Sequence, residues 1–252
     1  MSVSVLVPVY NEEATVRPIL ERVLALGPLV TEVVVVDDGS SDRTPAILAA
    51  MAASEPKIRV LTQAANAGKT AAIRLAVREA RGEILVIQDA DLEYDPAEIP
   101  AVLDPILQGH ADVVYGSRFL VRKAARVLYF YHYLANVHLT FLSNLLTNRN
   151  MTDIETCYKA FRAGVIKPLG FSSRGFGMEV EITAMISKTT ARTYEVPISY
   201  YGRSYEEGKK IGFRDGVMAG LYILYYNLVA PRRSRGRQYI RDANDFLGRA
   251  AR

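Results

Sequence analysis

Asp89, Asp91 and Glu93 follow the apolar residues Ile84, Val86 and Ile87 in the stretch Val86-Ile-Gln-Asp-Ala-Asp-Leu-Glu93. A buried strand that ends in spaced carboxylates delivers them to the carboxyl edge of a sheet, where open α/β folds bind ligands. In an extended segment residues i, i+2 and i+4 point the same way, so the three carboxylates are expected to converge. Hard oxygen donors suit Mg2+ or Mn2+, and such ions usually hold a phosphate as well. The competing reading is a polar loop in which Asp95-Pro96 caps and opens the next helix.

The elements that must position these residues can be read from both sides. Residues 3–9 are apolar up to Pro8 and lead into Tyr10-Asn-Glu-Glu13, and 14–26 carries Val16, Ile19, Leu20, Val23 and Leu24 at helical spacing. The valine run 33–36 is what a strand buried on both faces looks like, and it ends in Asp37-Asp-Gly-Ser-Ser-Asp42. A helix over 43–53, a strand over 57–62, a helix from Lys69 to Arg81, a strand over 83–88, a helix over 96–108 and a strand over 112–116 continue the alternation. This pattern predicts an open, mostly parallel twisted α/β sheet with flanking helices and right-handed crossovers. Each strand ends in polar, unusual residues: Tyr10 and Glu12, Asp37 and Asp38, Asn66 to Lys69, Asp89 and Asp91, then Gly116-Ser-Arg118. That recurrence on one edge points to a nucleotide-type ligand. No G-x-G-x-x-G follows the first strand and no G-x-x-x-x-G-K-[ST] occurs, which removes the main support for dinucleotide oxidoreductases and P-loop NTPases.

The totals set outer bounds. The 252 residues, 50% hydrophobic and 23% charged, suffice for one full core with a small appendage. The single cysteine, Cys157, excludes an internal disulfide framework and fits a reducing compartment; with no neighbouring histidine it is expected to pack rather than react. The first residues read as a strand, without the basic start and cleavage site of a signal peptide. Net charge is +4, but residues 232–252 hold seven arginines against Asp242 and Asp245, a surplus of five that leaves the remainder near −1. A basic tail on a neutral body suits an anionic surface; without a recognisable motif it does not support nucleic acid. Residues 127–146 contain no Asp, Glu, Lys or Arg, yet His132, Asn136, His138, Thr140, Ser143 and Asn144 make the segment too polar to span a bilayer with about 20 apolar residues. It reads as an amphipathic helix, either at a membrane interface or packed on the sheet. Residues 217–231 are apolar and tyrosine-bearing, and Arg232-Arg-Ser-Arg235 follows. That order suits a peripheral membrane anchor, with a dimer interface as the competing account.

The motifs also resemble a known family. Pro8-Val-Tyr-Asn-Glu12, Val35-Val-Asp-Asp-Gly-Ser40, Asn66-x-Gly68-Lys69, Asp89-Ala-Asp91 and Gly116-Ser-Arg118 are similar, in order and spacing, to the nucleotide-sugar domain of family-2 inverting glycosyltransferases with the GT-A fold. Among these the chain most resembles polyprenyl-phosphate hexose transferases of the dolichyl-phosphate mannosyltransferase type. The resemblance covers about residues 1–210 and leaves 211–252 as a C-terminal amphipathic helix and basic tail, membrane-peripheral or oligomerising. It implies that Pro8, Tyr10, Glu12, Val36 and Asp38 line the base and ribose pocket, with Lys69 also binding substrate. It implies that Asp89, Ala90 and Asp91 meet the diphosphate and a Mg2+ or Mn2+ ion, with Glu93 as a third oxygen ligand. Arg118 would approach the acceptor phosphate. Asn150 to Phe161 is similar to the family's T-D-x-x-[ST]-G-[FY]-[KR] segment, with Cys157 in place of the glycine, and Asp153 would orient donor or acceptor hydroxyls. Glu179 and Glu181 stand where related enzymes keep an acidic base, and Arg203 and Lys209 or Lys210 match a lid that contacts the diphosphate.

The expected activity is metal-dependent, inverting transfer of a hexose, mannose favoured, from a GDP- or UDP-sugar to a polyprenyl or dolichyl phosphate. Such an enzyme would be cytoplasmic, with peripheral contact to the cytoplasmic membrane face. A phosphate acceptor is already ionised and needs no base, whereas an alcohol acceptor needs a carboxylate. The alternative is therefore a soluble glycosyltransferase that uses Glu179, Glu181 or Asp153 on a glycan or small alcohol.

Overall fold

The valine-rich runs become strands because β-branched side chains fit a pleated surface covered on both faces. The computed structural model describes residues 1–120, 126–127, 129–175, 177–202 and 213–250. Among them the strands are β1 (Val3–Val9), β2 (Glu32–Asp37), β3 (Ile58–Thr62), β4 (Ile84–Ile87), β5 (Val113–Ser117), β6 (Lys159–Arg162) and β7 (Thr193–Pro197). They form one sheet in the order β3-β2-β1-β4-β6-β5-β7. The helices are α1 (Val16–Leu24), α2 (Thr44–Ser54), α3 (Lys69–Glu79), α4 (Ile99–Leu107), α5 (Phe130–Thr147), α6 (Ala163–Ile166), α7 (Met178–Ile186), α8 (Phe213–Leu228) and α9 (Ser234–Ala250). The expected α/β alternation is therefore present from β1 to β5. Val33 to Val36 are fully buried, and Val16, Ile19, Leu20 and Val23 turn one face of α1 into the core. Each such aliphatic side chain contributes roughly 1.5–3 kcal/mol by leaving water.

Two features of the topology decide where ligands meet the sheet. The chain runs from β1 outward to β2 and β3, then returns to place β4 on the other side of β1. The order reverses between β1 and β4, and such a switch point opens a crevice at the carboxyl ends of the strands. The second feature is β6, which lies antiparallel between β4 and β5, with Val86 opposite Ala160 and Val114 opposite Ala160. Its reversed direction brings the preceding segment, 150–158, to the same edge as the carboxyl ends of the parallel strands. Four residues, Lys-Ala-Phe-Arg, are too short a run to announce a strand, and β6 was not foreseen.

The second half wraps the sheet with helices. α8 packs on α7 and α5, and α9 on α6. The basic stretch read as a tail is largely helix α9, with Tyr239, Ala243 and Leu247 buried and Phe246 pressed against Gly164. No helix among the described residues is long and apolar enough to cross a membrane. The boundary expected at 210 falls on 203–212, outside the described residues.

Candidate active site

The crevice is framed by the ends of β1 and β4, held in register by pairing of Leu6 with Ile87 and by the Gln88 N–H on Leu6 O at 2.9 Å. Beyond Ile87 the chain does not stay extended. It turns at Ala90 and Asp91, and Leu92 adopts a left-handed φ of 62°. The expected convergence of Asp89, Asp91 and Glu93 on one extended face is therefore corrected. Asp91 Oδ1 accepts the Glu93 N–H at 3.1 Å, while the Glu93 carboxylate accepts the Tyr200 hydroxyl at 2.7 Å. Asp95 caps the short 3-10 turn at Pro96–Glu98 by accepting the Ala97 N–H, so the capping reading also holds. Ala90 is buried.

Lys69 enters this site from the first turn of α3. Its Nζ donates to Asp89 Oδ2 at 2.9 Å and lies 3.5 Å from Glu179 Oε1. Burial alone would lower its pKa, but the Asp89 and Glu179 charges outweigh that and hold it well above the ordinary value, so the ammonium stays charged. Gly68 precedes it at φ 89°, a conformation that favours glycine. Asp38 fixes the loop by accepting the Gln63 amide, the Ala67 N–H and the Gly68 N–H at 2.6–2.9 Å. Cys157 is buried against Asp89, and burial followed by the Asp89 charge pushes its thiol well above the usual range. This fits packing and not nucleophilic use.

Arg118, at the end of β5, is clamped by Asp153. Its Nε and Nη2 reach the two carboxylate oxygens at 2.7 and 2.8 Å, and its backbone N–H adds a third bond at 3.1 Å. Asp153 is fully buried. Glu195 of β7 anchors the clamp by accepting the Thr152 and Asp153 N–H groups. The Arg118 guanidinium lies 5.1 Å from the Tyr200 ring centre, and Tyr94 packs against both Tyr200 and Tyr158. With both oxygens on Arg118, Asp153 positions the arginine, a correction to its expected contact with substrate hydroxyls.

The remaining candidates separate by exposure. Pro8, Tyr10 and Glu12 line the end of β1, with Glu12 accepting the Thr15 hydroxyl at 2.6 Å. Val36 sits in the core, and Asp38 is buried with both oxygens accepting from loop 63–68. Glu181 likewise accepts from Ser172 N, Ser172 Oγ and Ser173 N at 2.8–2.9 Å, which removes it as a base. Glu179 stays in the site. Arg203, Lys209 and Lys210 lie outside the described residues.

Several contributors went unread. Glu155 has a buried Oε1 without a hydrogen-bond partner among the described residues. Burial and then the Glu179 charge push its carboxyl up to about 8. Its signal was an acid set among Ile154, Cys157 and Tyr158. Tyr94, Tyr158 and Tyr200 form an aromatic wall whose members lie far apart in sequence. The donor set fits a hard divalent ion. Asp89 and Asp91 are partly exposed carboxylates two residues apart, and Mg2+ is often held by one or two carboxylates, its shell completed by substrate phosphates and water. Among the described residues no group of three or more His, Cys, Asp or Glu side chains is arranged to hold a metal, and the Glu93 carboxylate is engaged by the Tyr200 hydroxyl.

Comparison with known proteins gives this edge a context. The model of glycosyl transferase family 2 matches residues 4–170. Dolichol-phosphate mannosyltransferase of Pyrococcus furiosus is 29% identical over 215 residues, 84% of this chain and 60% of the relative. Undecaprenyl-phosphate 4-deoxy-4-formamido-L-arabinose transferase of Edwardsiella ictaluri is 31% identical over 218 residues, 82% of this chain and 62% of the relative. The chain thus spans about three fifths of the length of these relatives. Glucosyl-3-phosphoglycerate synthase of Mycobacterium tuberculosis, solved in complex with Mn2+, uridine diphosphate and phosphoglyceric acid, superposes with a TM-score of 0.69 at 20% identity over 93% of this chain and 78% of that one. That likeness is one of fold, and the fold is of the GT-A type.

Proposed function

The chain belongs to glycosyl transferase family 2, and on that premise we propose that it moves a hexosyl group from a nucleoside diphosphate sugar to a polyprenyl phosphate, with inversion at the anomeric carbon. One observation carries this reading: a partly exposed arginine held two-pronged by the buried Asp153 at the ligand edge, beside an aromatic wall. The clamp uses Nε and Nη2 of Arg118 and fixes the plane of the guanidinium. A planar fork held this way suits a phosphate. The acceptor oxygen attacks the anomeric carbon as the bond from that carbon to the donor's phosphate oxygen breaks, and the nucleoside diphosphate departs. A phosphate monoester has its second pKa near 6, so its oxygen arrives ionised and needs no base. Lys69, held charged by Asp89, meets the negative charge that grows on the leaving diphosphate. Asp89 and Asp91 would hold Mg2+ or Mn2+, which when bound supplies further positive charge there. Arg203 and Lys209 would close on the same diphosphate. Mannose is the favoured sugar, and guanine and uracil are both open as the base.

A carboxylate-dependent transfer to an alcohol is the second reading. It rests on Glu179 alone, because Asp153 and Glu181 are engaged elsewhere. The lipid acceptor also gives a use to the outer faces of α5 and α8, where Phe130, Tyr131, Phe141 and Leu145 stand exposed beside Val217, Met218, Leu221 and Leu228. These faces would rest on the cytoplasmic side of the membrane that carries the acceptor. The test is turnover of GDP-mannose and UDP-glucose with Mg2+ or Mn2+, with and without a polyprenyl phosphate. Product that appears only with the lipid is expected. Turnover that ignores the lipid and follows a soluble sugar acceptor would replace this reading with the second.

A further inference from the structure

Lys159, the first residue of β6, is fully buried. Taking an amino group out of water is costly, and burial pulls its pKa below the ordinary lysine value although the Glu179 and Glu155 charges raise it. Its Nζ donates to Ile154 O at 3.0 Å and to Thr156 O, and lies 5.0 Å from the Tyr115 ring centre. Both carbonyls belong to the segment between α5 and β6, which contains no helix or strand. Such a segment must satisfy its buried backbone groups one by one. Its N–H groups go to side chains of other elements: Thr152 and Asp153 donate to Glu195, Ile154 to Thr140 Oγ1 at 3.5 Å, and Cys157 to the Tyr94 hydroxyl at 3.3 Å. Lys159 serves the opposite polarity, holding carbonyls on either side of Glu155.

We propose that Lys159 is a positioning residue for transfer: by holding the Ile154 and Thr156 carbonyls it fixes the spacing between Arg118 and Asp89. The inference rests on the transfer reading above, in which Arg118 faces the acceptor phosphate and Asp89 the donor diphosphate. The same short segment reaches both. Asp153, next to Ile154, grips Arg118 through both carboxylate oxygens, and Cys157, next to Thr156, is buried against Asp89. Reacting groups must meet closely, and a misplacement of about 1 Å can cost about 10²-fold in rate. A segment freed from Lys159 would let the two anchors drift relative to one another. Replacing buried charge with an apolar side chain of similar volume is often tolerated by a fold. Here it strands no carboxylate: Glu155, pushed up to about 8, carries a proton at neutral pH, and Glu179 Oε1 keeps Lys69 at 3.5 Å. Removal of the lysine should therefore spare the fold and damage the alignment.

Lys159→Met, compared with the wild type, tests this. Three quantities are measured: kcat for lipid-dependent transfer from GDP-mannose or UDP-glucose, affinity for GDP and UDP with Mg2+ by isothermal titration, and unfolding in urea. The expected result is a kcat lower by about 10²-fold, with nucleotide affinity held within about twofold and a cooperative urea transition. Amide hydrogen exchange over residues 152–157 should quicken in the variant, while that over β1 and β2 stays at the wild-type rate. A kcat within about threefold of the wild type overturns the inference and leaves the transfer reading standing. Nucleotide affinity lost in step with transfer, or a urea transition that is no longer cooperative, also overturns it, because the lysine then serves the fold as a whole. A wild type without lipid-dependent transfer removes the transfer reading and this inference with it.

Discussion

Two buried clusters of charge grow from the same short segment, residues 153–159, and they differ in how fully their atoms are used. At one end Asp153 has no exposure, both its oxygens are held by Arg118, and its backbone N–H donates to Glu195. At the other end Glu155 and Glu179 each keep a buried oxygen without a partner among the described residues. A cluster whose hydrogen bonds are complete fixes geometry, since removing one member strands the other charge. A cluster left incomplete carries the desolvation cost of each unpartnered oxygen. The fold therefore sets a completed charge cluster and an incomplete one only a few residues apart in the chain.

The sharpest way to break this contrast is Asp153→Ala. Stranding Arg118 is expected to cost about 3–5 kcal/mol of folding stability in urea titration. A loss below about 1 kcal/mol would mean that the clamp is not structural. Lys69→Met comes next, since Lys69 joins Asp89 to Glu179 of the incomplete cluster. Transfer should slow by about 10²–10³-fold, with the thermal midpoint moving far less than in Asp153→Ala. The incomplete cluster should instead show itself through pH. Glu155 titrates at about 8 when folded against an ordinary 4.5, so between those values the folded chain binds a proton that the unfolded chain has released. Stability from this group is thus expected to fall as pH rises through that window. Glu155→Gln should flatten the fall in urea midpoints; an unchanged slope would remove Glu155 as its source. Smallest of all, Phe141→Ser on the exposed face of α5 should leave stability within about 0.5 kcal/mol. It should weaken sedimentation with anionic vesicles, and if binding is unchanged α5 does not face a lipid surface.

Much of the architecture was legible because it is written in local periodicity. The valine run of β2, the helical spacing of α1 and the polar residues at strand ends all state their structure within a few positions. What failed to show depends on the third dimension. The assumption of an extended Asp89–Glu93 could not anticipate that Leu92 turns left-handed, or that Tyr200, over a hundred residues away, would claim the Glu93 carboxylate. Asp38 looked like a ligand contact because it ends a strand; its partners in loop 63–68 are a matter of packing. The stretch 232–252 was judged by its arginines, although Tyr239, Ala243 and Leu247 recur every four residues, the spacing of a buried helical face. Glu155 escaped notice because one acid in an apolar neighbourhood carries no pattern of its own.

The insertion of β6 also sets an order of events. As the chain leaves the ribosome, β1 to β5 are made before β6 exists, and domains fold from what has emerged. In the finished sheet β6 lies between β4 and β5, so β5 cannot dock in its final place until residues 159–162 have arrived. The half of the edge built on β1, β2 and β4 can therefore settle early. The half that carries Arg118 and Asp153 waits on pairings distant in sequence, which form slowly. A nascent chain of this protein would then pass through a stage in which the proposed nucleotide crevice is nearly complete and the proposed acceptor side is not.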